Sequence, residues 1–335
     1  MTRKRLRDSE LQQRALHIPG CTKEALGKIW AVLRPEDKIK RRTWQRDVQH
    51  QQRPASDCMY KLQLPGLEGA QPVMWLSSVP RLLELLADAS EVFAQKLLET
   101  VRPDPSKIHE LVLYFDETTG GNVLAAGTPA RACLFYLRVE GAWRGVNRFL
   151  PLGMIQAYCV GQVDGSWGAL VRCVLESLEQ QMLHDGFSLR VRDHTVIMRA
   201  KVSRLLADGA AIAAALDHKG GGSLRPCPFC QNACRPSSGL PEADSTGFLV
   251  SADCSDPQRF VPQTDAALGR LQKKLQRASL GPKGAFQSAQ KAVGYRYNPQ
   301  GLLAAPTPQL SISGCMLDSM HLYYSQGIAS WEVNS

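Results

Sequence analysis

The chain has 335 residues, 44% of them apolar and 21% charged, a balance that fits a globular protein with a buried core and excludes a disordered polyelectrolyte. No window approaches the roughly 18 unbroken apolar residues of a membrane helix, and the opening Thr2-Arg3-Lys4-Arg5 does not read as a secretory signal. The net charge of +9 is gathered at the front: residues 1–55 hold 14 Lys/Arg against 6 Asp/Glu, the remainder 26 against 25.

A basic front on a nearly neutral body points to a polyanion, most simply nucleic acid; a solvated tail is the plainer alternative. The runs Arg3-Lys4-Arg5 and Lys38-Ile39-Lys40-Arg41-Arg42 also fit nuclear import, so a nuclear location is expected. Ten cysteines without a secretory signal argue for reduced thiols or a metal, not a disulfide scaffold.

Residues 22–33 read as a short helix, with Thr22 as N-cap and Leu26, Ile29, Trp30 and Leu33 on one face. Residues 44–75 are broken by Pro54, Pro65 and Pro72. A stronger helix starts after Ser77 or Ser78. It carries Leu82, Leu83, Leu85, Leu86, Val92, Phe93, Leu97 and Leu98 at an amphipathic period and ends before Pro103. The expected division is a basic, partly disordered region 1–60, a helical lead-in 61–108, a core 109–217 and a Cys-containing insertion 218–335.

The core opens on LVLYFDETTGGNVL, from position 111. Its apolar run reads as a buried strand that delivers Asp116 and Glu117 to the edge of the core. The plain reading of Asp116 is a turn cap; the sharper one is a ligand site. Residues 132–139 and part of 148–160 read as two further strands, with a hairpin turn at 141–145 between them. Residues 166–184 read as a helix capped by Ser166, with Leu170, Val171, Val174, Leu175, Leu178 and Met182 as its buried stripe. Strand-like stretches at 187–191 and 196–206 end at Asp208, and an alanine-rich helix follows at 210–216.

Strand, strand, strand, helix, strand, helix is the element order of the ribonuclease H-like fold, so the expected class is mixed α/β with such a core. In that fold the first and fourth strands are neighbours, which would bring Asp116 and Asp208 together. Two close carboxylates repel, and a divalent cation relieves the repulsion; hard oxygen ligands suit Mg²⁺ or Mn²⁺.

Beyond Asp208, Cys227-Pro228-Phe229-Cys230 puts two thiols at the spacing of a zinc knuckle. A redox dithiol and plain structural thiols are the alternatives. His321, Cys234 and Cys254 are candidate further ligands. A basic helix is expected over 266–277, with Leu268, Leu271 and Leu275 inward. Near the end, Asp318 and His321 stand three apart; they read either as a surface pair or as a metal-site neighbour.

Three segments, LVLYFDETTGGNVLA, KGGGSLRPCPFCQN and CMLDSMHLYYSQGI, in this order and spacing, resemble the transposases of CACTA-type and related cut-and-paste DNA elements. The resemblance covers about residues 75–330. It implies a DDE/D catalytic core in which Asp116 and Asp208 hold Mg²⁺ or Mn²⁺, a Cys227/Cys230 insertion, and a D-x-x-H signature at Asp318 and His321. Zinc at Cys227, Cys230 and His321, DNA ends as partner and a homo-oligomer are the further expectations. Gly120 stands where the family pattern prefers Pro, and Gly209 where a second acid often follows. The third catalytic acid is expected well past the D-x-x-H motif, where Glu332 is the only late acid, so the chain reads as the front part of a transposase. The competing class is a non-catalytic DNA-binding or interaction protein that keeps the fold.

Overall fold

A computed structural model describes residues 58–120, 130–140, 149–181, 183–235, 248–250, 256–304 and 310–318. The basic front and the helix expected at 22–33 lie outside them. The fold is mixed α/β, with seven α-helices among the described residues. None of them is long and apolar enough to cross a membrane.

The centre is β3 (Ile108–Gly120), flanked by β4 (Ala130–Val139) and β7 (His194–Ala207). Along the sheet the order is β1 (Met59–Gln63), β2 (Val73–Ser77), β5 (Leu150–Gln156), β4, β3, β7, β10 (Cys315–Leu317), with β6 (Phe187–Val191) paired to β7. All pairings are antiparallel except β3 with β7 and β7 with β10. A small parallel pair, β8 (Ala233–Cys234) and β9 (Leu249–Val250), stands apart.

Strand alternation sorts the side chains. Leu111, Leu113 and Phe115 of β3 and Cys133, Phe135 and Leu137 of β4 are buried on one face. Phe115 stacks on Phe135 (centroids 5.5 Å) and meets Trp167 from above (5.5 Å). Trp167 belongs to α4 (Ser166–Gln180), whose Leu170, Val171, Val174, Leu175 and Leu178 are buried at helical spacing. A single contiguous core results, which also takes in Leu268 and Leu275 of α6 (Asp265–Ser279) and Val293 of α7 (Lys283–Val293).

Three local expectations change. The helix read as continuous up to Pro103 is two, α1 (Val79–Ala89) and α2 (Glu91–Val101). Ser90 separates them: its N–H closes α1 on Leu86 O (3.0 Å), and its Oγ accepts from Phe93 N–H (3.3 Å), an N-cap that restarts the helix. The proline-broken stretch carries β1 and β2 ahead of these helices, so helices alone do not make up the lead-in. Ser166 is the first residue of α4, not its cap; the cap is Gly165 at φ 84°. A short α3 (Ala157–Val160) joins β5 to α4.

Besides these apolar contacts, a buried carboxyl ties residues 296–301 to this core. Asp217 follows α5 (Gly209–Ala215) at φ 52°. Its Oδ1 accepts from Asn298 Nδ2 (2.9 Å), which also donates to Gly165 O (2.8 Å), and its backbone carbonyl accepts from Arg296 N–H (2.8 Å). Gly168 and Gly301 flank the other oxygen; a Cβ at either would overlap Asp217 Oδ2. Burial pushes the Asp217 carboxyl up to about 7, against the opposing pull of the Asn298 hydrogen bond and the Arg296 charge. A carboxyl raised in the folded state contributes stability below its unfolded value near 3.8 and loses it as pH rises through about 7. Asp217→Asn keeps an acceptor for Asn298 and removes the charge. It should therefore unfold at a higher temperature than the parent at pH 8, with the gain shrinking toward pH 4. Parallel melting curves across that range would refute the assignment.

Candidate functional site

The ladder between β3 and β7 is parallel, and its last paired rung is Tyr114↔Leu206. Asp116 and Asp208 each stand two residues beyond that rung. Carrying the register forward sets them level, on adjacent strands and on the same face as Tyr114 and Leu206. β10 extends the row. Its last rung is Leu317↔Ala207, and Asp318 N–H donates to Ala207 O (2.9 Å). Asp208 and Asp318 thus stand just past the ends of β7 and β10, and Asp116 lies within β3 where its pairing with β7 stops, on the face opposite Leu113, Phe115, Leu205 and Ala207.

The carboxylates have local partners. Tyr114 hydroxyl donates to Asp116 Oδ2 (3.3 Å). Asp208 caps α5, its Oδ1 accepting from Ala211 N–H at 2.6 Å. Glu117 is exposed and lies opposite Cys133 in the ladder. Negative charge accumulates here. Burial first, then the charges of Asp116 and Asp318, pushes the Tyr114 hydroxyl far up. The Cys133 thiol is pushed up to about 12 by burial, then by Glu117 and Asp116. Tyr136 is raised by burial and by Asp116. Among the described residues neither Asp116 nor Asp208 pairs with a Lys or Arg.

This is a setting that favours a cation, and the donor set, hard carboxylate oxygens, suits Mg²⁺ or Mn²⁺. The carboxylates are not drawn together as a set: among the described residues no three His, Cys, Asp or Glu side chains are gathered closely enough to hold a metal. Asp318 as the end of a strand escapes a reading of the sequence because β10 has only three residues. The recurring pattern of apolar residues then Asp, in Tyr114-Phe115-Asp116, Leu206-Ala207-Asp208 and Met316-Leu317-Asp318, is the signal that would have found it.

The second cluster is the cysteine turn. Cys227 and Cys230 bring their Sγ atoms to 2.9 Å, closer than the roughly 3.5–4 Å expected when two thiolates share one zinc. The two sulfurs lie within hydrogen-bonding distance of each other. The Cys230 S–H, then the backbone N–H groups of Phe229 and Cys230, bring Cys227 down to about 7 against its burial, and Cys230 is pushed up in turn. The turn is clamped from two sides: Tyr295 hydroxyl donates to Pro228 O (2.7 Å), and Gln263 N–H donates to Phe229 O (2.8 Å). Tyr295 is wholly buried and meets His218 edge-on, centroids 4.8 Å apart.

Two thiols fit half of a tetrahedral zinc site. Among the described residues no third ligand joins them; Cys234 is buried in β8 outside any such group, and Cys254 and His321 lie outside the described residues. In the metal-free protein Cys227 should be alkylated at neutral pH before the buried Cys58, Cys133, Cys234 and Cys315. Zinc should protect Cys227 and Cys230 together. Equal labelling rates with and without zinc, and no metal retained on gel filtration, would remove zinc from this turn.

Compared with models of known protein families, the chain matches none, and a search of curated proteins finds no match either.

Proposed function

We propose that the chain is a transposase-derived protein of a CACTA-type DNA element, whose ancestral chemistry is divalent-metal-dependent cleavage and transfer of DNA strands. The observation that supports this reading is the β3–β7 register, whose last rung, Tyr114↔Leu206, lies two residues before both Asp116 and Asp208 on neighbouring parallel strands. The finer fold reading, a ribonuclease H-like core, draws support from the run β5-β4-β3-β7-β10: three antiparallel strands continued by two parallel ones. Asp116 and Asp208 would hold the ion, and Asp318 is the third carboxylate of the row. Mg²⁺ or Mn²⁺ bound there would activate water or a DNA 3′-hydroxyl for in-line attack on a phosphodiester. The chain's own part is positional. Asp208 keeps one oxygen on the α5 N-terminus, which would leave the other for the ion, and the Tyr114 hydroxyl would orient Asp116. A nuclear location follows from the substrate.

The second reading, a DNA-binding protein without catalysis, is favoured by Asp208 serving as a helix cap and by the ungathered carboxylates. Mn²⁺ titration followed by paramagnetic resonance tests the site, and Mn²⁺-dependent nicking of DNA tests the chemistry. Asp116→Asn should weaken Mn²⁺ binding about tenfold or more, the cost of about 1.4 kcal/mol expected when one charged ligand is removed. Nicking abolished in Asp116→Asn supports the enzyme. Mn²⁺ binding without nicking supports the non-catalytic reading. Mn²⁺ affinity unchanged in both Asp116→Asn and Asp208→Asn would sink the metal site.

A further inference from the structure

Outside the aspartate row, the helical hairpin of α6 and α7 carries a strong excess of positive charge. Residues 265–296 hold seven Lys/Arg and one Asp, whereas the rest of the chain beyond residue 55 holds 19 Lys/Arg against 24 Asp/Glu. The charge is ordered. Arg270, Lys273, Lys274 and Arg277 recur at helical spacing on one side of α6, and all four are exposed. Leu268, Gln272 and Leu275 occupy the opposite side and are buried. Lys283 and Lys291 of α7 and Arg296 just beyond it add three more exposed cations. Among the described residues none of the seven has an ion pair.

The hairpin is also firmly mounted. Thr264 caps α6 through Ala267 N–H (3.2 Å). Asp265, the one acid, is turned away from the stripe: its two oxygens accept from Ser311 Oγ (2.7 Å) and Ile312 N–H (2.8 Å). Ile312 lies in the segment that runs directly into β10 and Asp318. Lys219 N–H donates to Gly294 O (2.8 Å) and holds the far end.

We infer that the α6 stripe, with the cations of α7, is a docking surface for the phosphate backbone of duplex DNA, on a helix that Asp265 anchors to the segment leading into β10. This deepens the reading above and rests on it for the identity of the polyanion. From Arg270 to Arg277 the stripe runs about 10 Å, the axial length of about three base pairs, and so meets several phosphates at once. A membrane is the poorer partner. An interfacial helix needs a free apolar face, and that of α6 is spent in the core, leaving Leu280 at the hairpin tip as an isolated exposed apolar side chain. A single strand is poorer too, because the α6 stripe carries no aromatic ring on which bases could stack and Phe286 of α7 is half-buried. Contacts of this kind position DNA without reading its sequence.

The test uses the full chain and a labelled duplex of about 20 bp, with affinity followed by anisotropy as salt rises from about 50 to 200 mM. Replacing Arg270, Lys273, Lys274 and Arg277 together by Gln keeps good helix formers on exposed positions. Binding at the lower salt should weaken at least tenfold, and the slope of log affinity against log salt should fall by about 2–4, near 0.9 for each phosphate that is no longer neutralised. The pair Lys274→Gln/Arg277→Gln serves if the fourfold variant melts early, and its slope should fall by about 1–2. A control removes four exposed cations elsewhere, Lys96, Arg102, Arg199 and Lys201, and should leave both quantities near those of the parent. Equal losses in the control and the α6 variant overturn the surface, as does co-flotation with anionic vesicles in place of duplex binding. A parent that binds no duplex at low salt overturns it as well. If the parent binds and the α6 variant binds equally, this inference falls while Mn²⁺ binding at Asp116 and Asp208 still decides the reading it rests on.

Discussion

The parallel pairing of β3 with β7 is the constraint on which the rest depends. Antiparallel neighbours such as β3 and β4 can be joined by a short turn, but a parallel neighbour requires the chain to cross back over the sheet. Here the crossover includes α4, and α4 supplies the apolar roof over Phe115 and Phe135. The same pairing decides where the aspartates go. In a parallel ladder both strands run the same way, so Asp116 and Asp208, 208 − 116 = 92 residues apart in the chain, lie just beyond the same last rung, Tyr114↔Leu206. With antiparallel pairing the two would sit at opposite ends of the sheet.

Asp217 does for residues 296–301 what the ladder does for the sheet. It stands where α5 ends, and one amide, Asn298, joins it to the start of α4. The cysteine turn, the basic hairpin and the segment leading to β10 all follow it in the chain. A carboxyl in this position is a compromise. Neutral, it packs quietly between two glycines; ionised, it is a charge in a poorly solvated space whose hydrogen bond returns only part of the lost hydration.

The strands β3, β4, β6 and β7 are legible in the sequence because Val, Leu, Ile and aromatic residues run together there and turn residues bound them. α4 is legible because its apolar spacing is clean. β1 and β2 are not, since Pro65 and Pro72 look like breakers. In the structure they bracket the turn: β1 stops before Pro65, and β2 begins just after Pro72. The division between α1 and α2 is hidden because apolar spacing continues across Ser90, and nothing in a hydrophobic pattern registers a side chain that caps. Asp116 and Asp208 emerge as a pair from element order. The third member of the row depends on a long-range pairing of three residues, too short to leave a periodic signal.

The ends of the sheet have a consequence for how copies of this chain meet. β1, at one end, is five residues long, carries Lys61 exposed over Trp75, and is followed by Pro65. β10, at the other, offers three residues. The free side of β6 is met by α1, where Arg190 N–H donates to Glu84 Oε1 (3.0 Å). Short, charged or covered edges are poor templates for another strand. Among the described residues the sheet therefore offers little purchase for strand addition: contact between copies at these edges would favour side chains over backbone pairing.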